Sequence, residues 1–493
     1  ESQPMKYREY FVSIGLMRPE FAYALLGEQH LDNETVRKLV EENWSLYFDL
    51  CEAMLADHAI ATDMDRSSEI NWRDARSAIV SFIEAGLKGS EGENPSISAD
   101  YFPRVRDILI KLTNDPDPIV DEEQSESFDG DPATGALNHV RPKALGTLID
   151  KYAFYIAETN QAKGLYGDMK GPGPNRLEPE VEDVLTLRLG RNIESSLAVH
   201  SVYGRDLNVL YWLNRAWLQN HIGDIFPEGR EFNATSYFVA AWDSYVVFNR
   251  RPFKELFDLL YPKYVRAIDN LAMGLVTRTH LEPDRSLAGH VLGNYLFGNF
   301  DLHSREGENS LISLFFSKAT ADTRGSAIWI LWNTFKDRDD KDRLWPKARE
   351  IWKWRIDVAS SKNHSTDFDS EMSWFPYLLE FAPLTESITS MWPLLEGTLP
   401  HIRRAGRFGR EWEKFVKYLL REIGTEPLRV IRFYRLMHEV AGRPSWFRGD
   451  NEQTLLEIGL KNKESRDATL SLIDLITSLG DLRYRPLYEQ YAR

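Results

Sequence analysis

An all-α chain, made of helical hairpins stacked into an irregular α-solenoid, is the fold class this sequence predicts. Three observations lead there. Apolar residues recur at helical spacing along most of the 493 residues, separated by short breaks rich in Gly, Pro and Asn. No run of alternating β-branched residues is bounded by hairpin turns. Helices of roughly 12–22 residues joined by short loops continue over about 350 residues, the pattern of hairpins laid side by side.

Residues 1–115 read as an N-terminal helical region. Asn33 is placed to cap a helix with Val36, Leu39, Val40, Tyr47, Leu50 and Met54 on one side. A second helix carries Trp72, Ile79, Phe82 and Ile83. Gly86, Gly89, Gly92 and Pro95 open a loop, and a short helix holds Val105, Ile108, Leu109 and Leu112. The stretch from Asn114 to Pro132 has eight acidic residues and no basic one. Residues 116–133 are therefore read as a solvated acidic linker and the domain boundary.

Residues 134–400 are expected to form the helical repeat array. Thr134 is read as the cap of a helix running to about Ala157, and Gly164, Gly167, Gly171, Pro172, Gly173 and Pro174 break the chain. Pro179 starts the helix PEVEDVLTLRL in the favoured first-turn position. Ser195 or Ser196 opens the next helix, Pro227 and Gly229 close the one after it, and Pro252 opens another. Further helices are expected around 287–297, 309–335, 344–360, 371–381, 386–398, 408–423 and 426–440. Residues 401–493 make a C-terminal helical region, whose last marked helix has Ser465 as cap and Gly480 as its C′ glycine. There is no strict tetratricopeptide or ankyrin consensus, so the repeats would be irregular, in the manner of HEAT repeats.

Composition narrows the function classes. A formal net charge of −15 argues against a protein that coats nucleic acid over its whole surface. Aromatic residues are 12% of the chain, 14 of them Trp, and are expected mostly as packing. The single cysteine, Cys51, excludes a disulfide framework and a multi-cysteine zinc site. It fits a reducing, cytoplasmic setting and is read as a buried inert thiol. No apolar run approaches the ~18 residues of a membrane span. The longest, AIWILW at 327–332, has the length of a core segment. The first residues, ESQPMKYREY, carry no signal-peptide pattern and no initiator Met, which fits a piece of a longer chain.

Catalytic signatures are scarce. The sequence has no GxxxxGK[ST], no GxGxxG after a strand, no HExxH and no GxSxG. His139, His200 and His221 sit on helical patterns and are read as core or interface residues. The segment HSTDFDSE clusters His364, Asp367, Asp369 and Glu371. It lacks the glycine turn and terminal bidentate Glu of a hard-cation loop. It is read as a polar loop whose acids cap the helix carrying Trp374 and Phe375. The competing enzyme reading is a metal-dependent nuclease or hydrolase using His364, Asp367 and Asp369. No catalytic residue and no cofactor is assigned within the chain.

One charged pattern is specific. Arg403, Arg407, Arg410, Lys414, Lys417 and Arg421 recur at spacings of 4, 3, 4, 3 and 4, which puts six cations on one stripe of a helix. Arg429, Arg432 and Arg435 follow on the next. Glu411, Glu413 and Glu422 dilute the charge. The stripe is either a solvated face or a docking surface for an acidic protein or a nucleic-acid backbone.

A resemblance adds to this. In ALNHVRPKALGTLIDKYAF, Asn138 and Arg141 follow Asp131 and Pro132. Next come PEVEDVLTLRL and SSLAVHSVYGRDLNVLYWLNRAWL, with Val199, Tyr203 and Gly204 at a kink. AAWDSYVVFNRRPFKELFDLLYPKYVRAI holds Trp242, Asp243, Tyr245, Asn249, Arg250, Tyr261, Pro262 and Tyr264. These blocks are similar to the C-terminal helical halves of large bacterial antiphage defence proteins, the AVAST-type STAND ATPases and sirtuin-containing defence proteins among them. The resemblance covers 130–275 well and 280–480 loosely. It implies a sensor that binds a phage protein and relays the event to an effector, a sirtuin-like NAD hydrolase or a nuclease, in the same longer chain, often through a nucleotide-binding domain. Asn138, Arg141, Tyr203, Gly204, Trp242, Asn249 and Arg250 are structural motif residues in that comparison. Read from their chemistry alone, Asn138 and Arg141 satisfy helix ends or an inter-helix carboxylate.

Overall fold

The structure, a computed structural model, describes residues 3–27, 34–65, 69–87, 97–123, 131–165, 175–229, 232–275, 281–302, 310–336, 338–404, 408–442 and 450–492. Among them the secondary structure is entirely helical. No described helix is long and apolar enough to cross a membrane. Backbone packing divides the chain into two compact units, residues 1–253 with 275–283, and residues 254–274 with 284–493. The expected linker at 116–133 lies inside the first of these.

In the first unit, the periodic apolar residues named above are core: Val40, Leu50, Met54, Ile79, Phe82, Ile83, Val105, Ile108, Leu109 and Leu112 are all buried. Each such side chain contributes ~1.5–3 kcal/mol by leaving water. Cys51 is buried among them, and burial, with Glu52 second, pushes its thiol well up, so it stays a neutral thiol. Asn33, Gly89, Gly92 and Pro95 lie outside the described residues.

The helix expected from Thr134 to Ala157 starts earlier and is broken. Asp131, not Thr134, is the cap: its carboxylate accepts from the Thr134 amide at 2.8 Å, ahead of Pro132. The helix Pro132–Asn138 ends at His139, whose ψ of 147° is extended. The chain resumes as Val140–Thr147, passes through a π-helical segment, Leu148–Ala153, and ends as Phe154–Ala162. Ser196 caps Leu197–Arg205 by accepting from Val199 N. That helix ends at Asp206, two residues beyond the expected kink at Gly204, and Leu207–Leu213 follows.

The acidic segment is not solvated where it is described. Asp115 and Asp117 are buried. Asp115 receives Arg76, itself fully buried, at 2.5 Å. Asp117 receives Arg73 and His139, both at 2.9 Å, and the Val140 amide at 2.8 Å. Glu123 accepts from Ser196 Oγ and from Ala198 N, both at 3.0 Å, so it supplements the cap of Leu197–Arg205. Among the described acids, Asp117, Glu123 and Asp131 accept from helix-end amides, and Asp115 and Asp117 pair with Arg76 and Arg73.

In the second unit, alternate elements pack on one another. Ala321–Lys336 contacts both Asp369–Met372 and the 3₁₀ segment Phe375–Phe381; the latter contacts Phe408–Glu422, which contacts Asp450–Lys461. The intervening helices form a second row, in which Lys341–Ser361 contacts Ile388–Ile402, then Pro427–Val440, then Arg466–Ser478. The expected helix at 371–381 is thus a short α-turn followed by 3₁₀, with Pro376 in the first turn of the latter. Gly480 has φ of +96°, which suits a glycine just past a helix end.

Candidate functional site

The motif residues of the first unit other than Arg250 are accounted for by packing and helix ends. Arg141 donates to the Asp115 and Pro118 carbonyls at 2.7 and 3.1 Å, and its Nε lies 3.0 Å from buried Glu194. Asn138 donates to Thr134 O at 3.0 Å. Tyr203 is fully buried and donates to Leu185 O at 2.7 Å. Asn249 accepts from Asn208 and donates to the Arg205 carbonyl at 3.0 Å, holding the end of Leu197–Arg205. Trp242 is buried, with Phe226, Phe238 and Tyr245 around it. Arg250 is exposed. At Gly204 the helices Leu197–Arg205 and Phe232–Phe248 approach backbone to backbone: a Cβ there would overlap the Ala241 carbonyl. His200 donates to Ile225 O at 2.9 Å, and burial lowers its pKa to about 4, so it stays neutral.

In the second unit, the acids and histidines at 364–371 are brought together with arginines. Asp367 pairs with Arg324 at 2.7 Å. Glu371, wholly buried, receives both ends of Arg355 at 3.0 and 2.9 Å. Asp369 accepts from Arg404 at 2.8 Å and from His401 Nδ1 at 2.7 Å. His401 Nε2 then accepts from His364 Nδ1 at 3.1 Å, an assignment of protons that follows from the carboxylate on the other side. Burial lowers the pKa of His401 against the opposing pull of Asp369. Among the described residues, no group of three or more His, Cys, Asp or Glu is placed to hold a metal ion. Asp367 and Asp369 are each engaged by a guanidinium, that of Arg324 and that of Arg404.

The cations of the stripe are dispersed. The helix begins at Phe408, so Arg403 belongs instead to the end of Ile388–Ile402, and Arg407 lies outside the described residues. The glycines at 406 and 409 weaken helix propensity there. Arg403, Arg410 and Arg432 are exposed. Lys414 pairs with Glu380, and its Nζ lies 5.0 Å over the Tyr377 ring. Lys417 pairs with Glu413 at 2.8 Å, Arg429 with Glu426 at 3.3 Å and Arg435 with Glu439 at 2.7 Å. Arg421 donates to Ala382 O at 2.8 Å and stacks over Tyr418.

Lys414 leads to a feature that reading the sequence as core had missed. Trp329 and Trp332 lie three residues apart on Ala321–Lys336, while Ile328 and Leu331 between and beside them are buried. Trp374 and Tyr377 have the same spacing on the next element. The four rings form one run: Trp329 to Trp374 at 6.4 Å and 65°, Trp374 to Trp332 at 6.3 Å and 26°, Trp332 to Tyr377 at 5.7 Å and 68°. Trp329 is 39% exposed. Trp329 and Trp374 line a recess of about 640 Å³ with Arg285, Asp322, Ser326, Thr366, Asp369, Ser370, Ser373 and Arg404. A spacing of three on two neighbouring elements was the available signal. Because AIWILW is apolar throughout, that stretch reads as packing.

Compared with protein-family models, curated proteins and solved structures, the chain matches none.

Proposed function

We propose that this chain is the recognition region of a bacterial antiviral defence protein. Its second unit is an irregular α-solenoid that binds a viral protein, and the binding is relayed to an effector encoded in the same longer chain. The observation that carries the reading is the alternate packing of helices in the second unit. Two rows of elements, each resting on the one two places along, leave a long outer face free of the demands of a single closed core. The motif blocks at 131–264 supply the link to defence proteins. The arrangement at 364–371 supports recognition over hydrolysis, because its acids are engaged by Arg324, Arg355 and Arg404.

The contact surface is assigned to the exposed cations Arg410 and Arg432. The test uses cells carrying the complete reading frame and challenged with phage. Arg410→Glu with Arg432→Glu abolishes phage-triggered growth arrest while the purified variant keeps the wild-type circular dichroism spectrum. Unchanged arrest in that variant removes the stripe as a contact surface. No difference between cells with and without the gene, across a phage panel, overturns the defence reading itself.

A further inference from the structure

We infer that the helix Gln3–Met17, with the short helix after it, is a self-association surface whose outer side binds the same surface of a second copy of this chain. The inference concerns the first unit and stands apart from the recognition reading.

The make-up of the helix is the first support. From Tyr10 to Met17 it reads YFVSIGLM, two turns in which Ser13 has the only polar side chain without a ring. A helix that is apolar all round is stable when it is covered all round. The fold covers one side. Phe11 packs edge-on against Tyr47 at 5.2 Å, and a Cβ on Gly15 would meet Leu50 at 2.4 Å. Arg8 pairs with Asp49, which also receives Arg104 at 2.8 Å, and Arg104 reaches Glu52 at 2.8 Å. These contacts with Glu34–Ala56 fix which side of Gln3–Met17 turns inward.

The outer side is left in water. Tyr7, Tyr10 and Met17 are 70%, 65% and 70% exposed, with Ile14 half-buried between them. Positions 7, 10, 14 and 17 step by 3, 4 and 3, the a/d seam by which one helix packs along another. No charge lies on the seam, so a nucleic-acid backbone or a strongly charged protein finds nothing to pair with there. Helices that lie in a membrane surface carry a cationic flank. Among the described side chains of this helix the cation is Arg8, and it is held by Asp49 on the inner side. A neutral heptad seam is matched by another of its kind, and the same seam on a second copy closes as a two-fold contact.

The area is sufficient for that contact. The next helix, Pro19–Leu26, packs on the first and adds Phe21 at 44% and Tyr23 at 37% exposed. At ~200 Å² for a whole side chain of this size, the five offer about 570 Å² per copy, or about 1,100 Å² across a two-fold contact. A specific interface needs about 1,000 Å² or more, which places this dimer at the weak end of the range. The net charge of −15 opposes bringing two copies together. Apolar contact therefore works against long-range repulsion, and salt strengthens the association by screening it.

The experiment is sedimentation equilibrium of the full chain between about 0.5 and 100 µM, at about 50 and 500 mM salt. A reversible monomer–dimer equilibrium with a Kd of ~1–50 µM is expected, tighter at the higher salt. Tyr10→Ser with Met17→Ser weakens the dimer at least tenfold, while the circular dichroism spectrum stays that of the parent. Tyr7→Ser, tested separately, weakens it in the same direction. Leu384→Ser, at an exposed leucine of the second unit, leaves it unchanged. A chain that is monomeric at 100 µM overturns the inference. So does a dimer that neither seam variant weakens, or one that high salt dissociates. A monomeric chain that cosediments with phosphatidylglycerol vesicles, and ceases to in the double variant, overturns it in favour of a membrane-surface helix. None of these results touches the recognition reading, which stands or falls with the phage challenge.

Discussion

Replacing Gly204 by Ala tests whether the first unit is held together at the point where two helices touch. An ideal Cβ at Gly204 lies 2.6 Å from the Ala241 carbonyl carbon and 2.9 Å from its Cα. Carbon atoms in good contact sit ~3.5–4.0 Å apart, so Leu197–Arg205 must retreat from Phe232–Phe248 by about 1 Å. The obstacle is backbone, which has no rotamer to change. Overpacking of this kind costs ~1–3 kcal/mol. The retreat also strains the Asn249 bond to Arg205 O, at 3.0 Å, worth ~0.5–1.5 kcal/mol, and the His200–Tyr237 ring contact at 4.9 Å. A loss of about 2–4 kcal/mol follows. The control is Gly223→Ala, at a helical glycine with nothing within 4 Å of its added Cβ. There the change removes glycine's backbone entropy and stabilises by ~0.5–1 kcal/mol. Urea unfolding followed by circular dichroism compares the two variants with the parent. A Gly204→Ala midpoint equal to or above the parent's, while Gly223→Ala behaves as stated, refutes the close-approach argument.

Two further outcomes are expected. Burial raises the Asp117 carboxyl, but the hydrogen bond from His139, the charges of His139 and Arg73 and the Val140 amide outweigh it and hold its pKa down to about 2. Its stabilisation is thus complete above the unfolded value of ~3.9 and is lost as pH falls from there toward 2, by roughly 2 kcal/mol. Asp117→Asn flattens that part of the stability-versus-pH curve, and an unchanged acid limb counts against the assignment. In the second unit, Arg355→Leu removes both hydrogen bonds to Glu371, which is wholly buried and keeps only Arg324 at 3.6 Å, and costs ~3 kcal/mol. The double variant Arg355→Leu with Glu371→Leu recovers most of that loss in thermal unfolding, and a double variant no better than the single one contradicts the pairing.

Much of the fold was legible because helix periodicity and caps are local signals. Val105, Ile108, Leu109 and Leu112 share a face by spacing alone, and Ser196 caps the helix it precedes. At 131–134 the expected cap is Thr134 and the observed one is Asp131. Asp131 prevails because Pro132 follows it at the first helical position. What stayed hidden depends on distant partners. Asp115 reads as solvent-exposed until Arg76, 39 residues earlier, is seen against it. Asp369 reads as a cap or a metal ligand until His401 and Arg404, 32 and 35 residues later, reach it. The aromatic run was concealed differently. Trp329 and Trp332 share a short apolar stretch with buried Ile328 and Leu331, and hydrophobicity alone does not say which side faces the core.

The order in which the chain visits its two units constrains how such a protein diversifies. It leaves the first unit after Phe253, returns at Leu275 and departs again after Pro283. Leu281 and Pro283 line a seam with Asp131, Pro132, Ala133, Ala240, Asp243 and Val247. The helix Phe257–Ala272, although it precedes that return, belongs with Leu311–Lys318. A single recombination breakpoint anywhere between 253 and 284 therefore separates some residues from the side chains they pack against. A lineage that exchanges its second unit wholesale must keep residues 275–283 while replacing what lies on both sides of them. Sequence change in such a region proceeds more readily by point substitution on exposed faces than by cassette exchange.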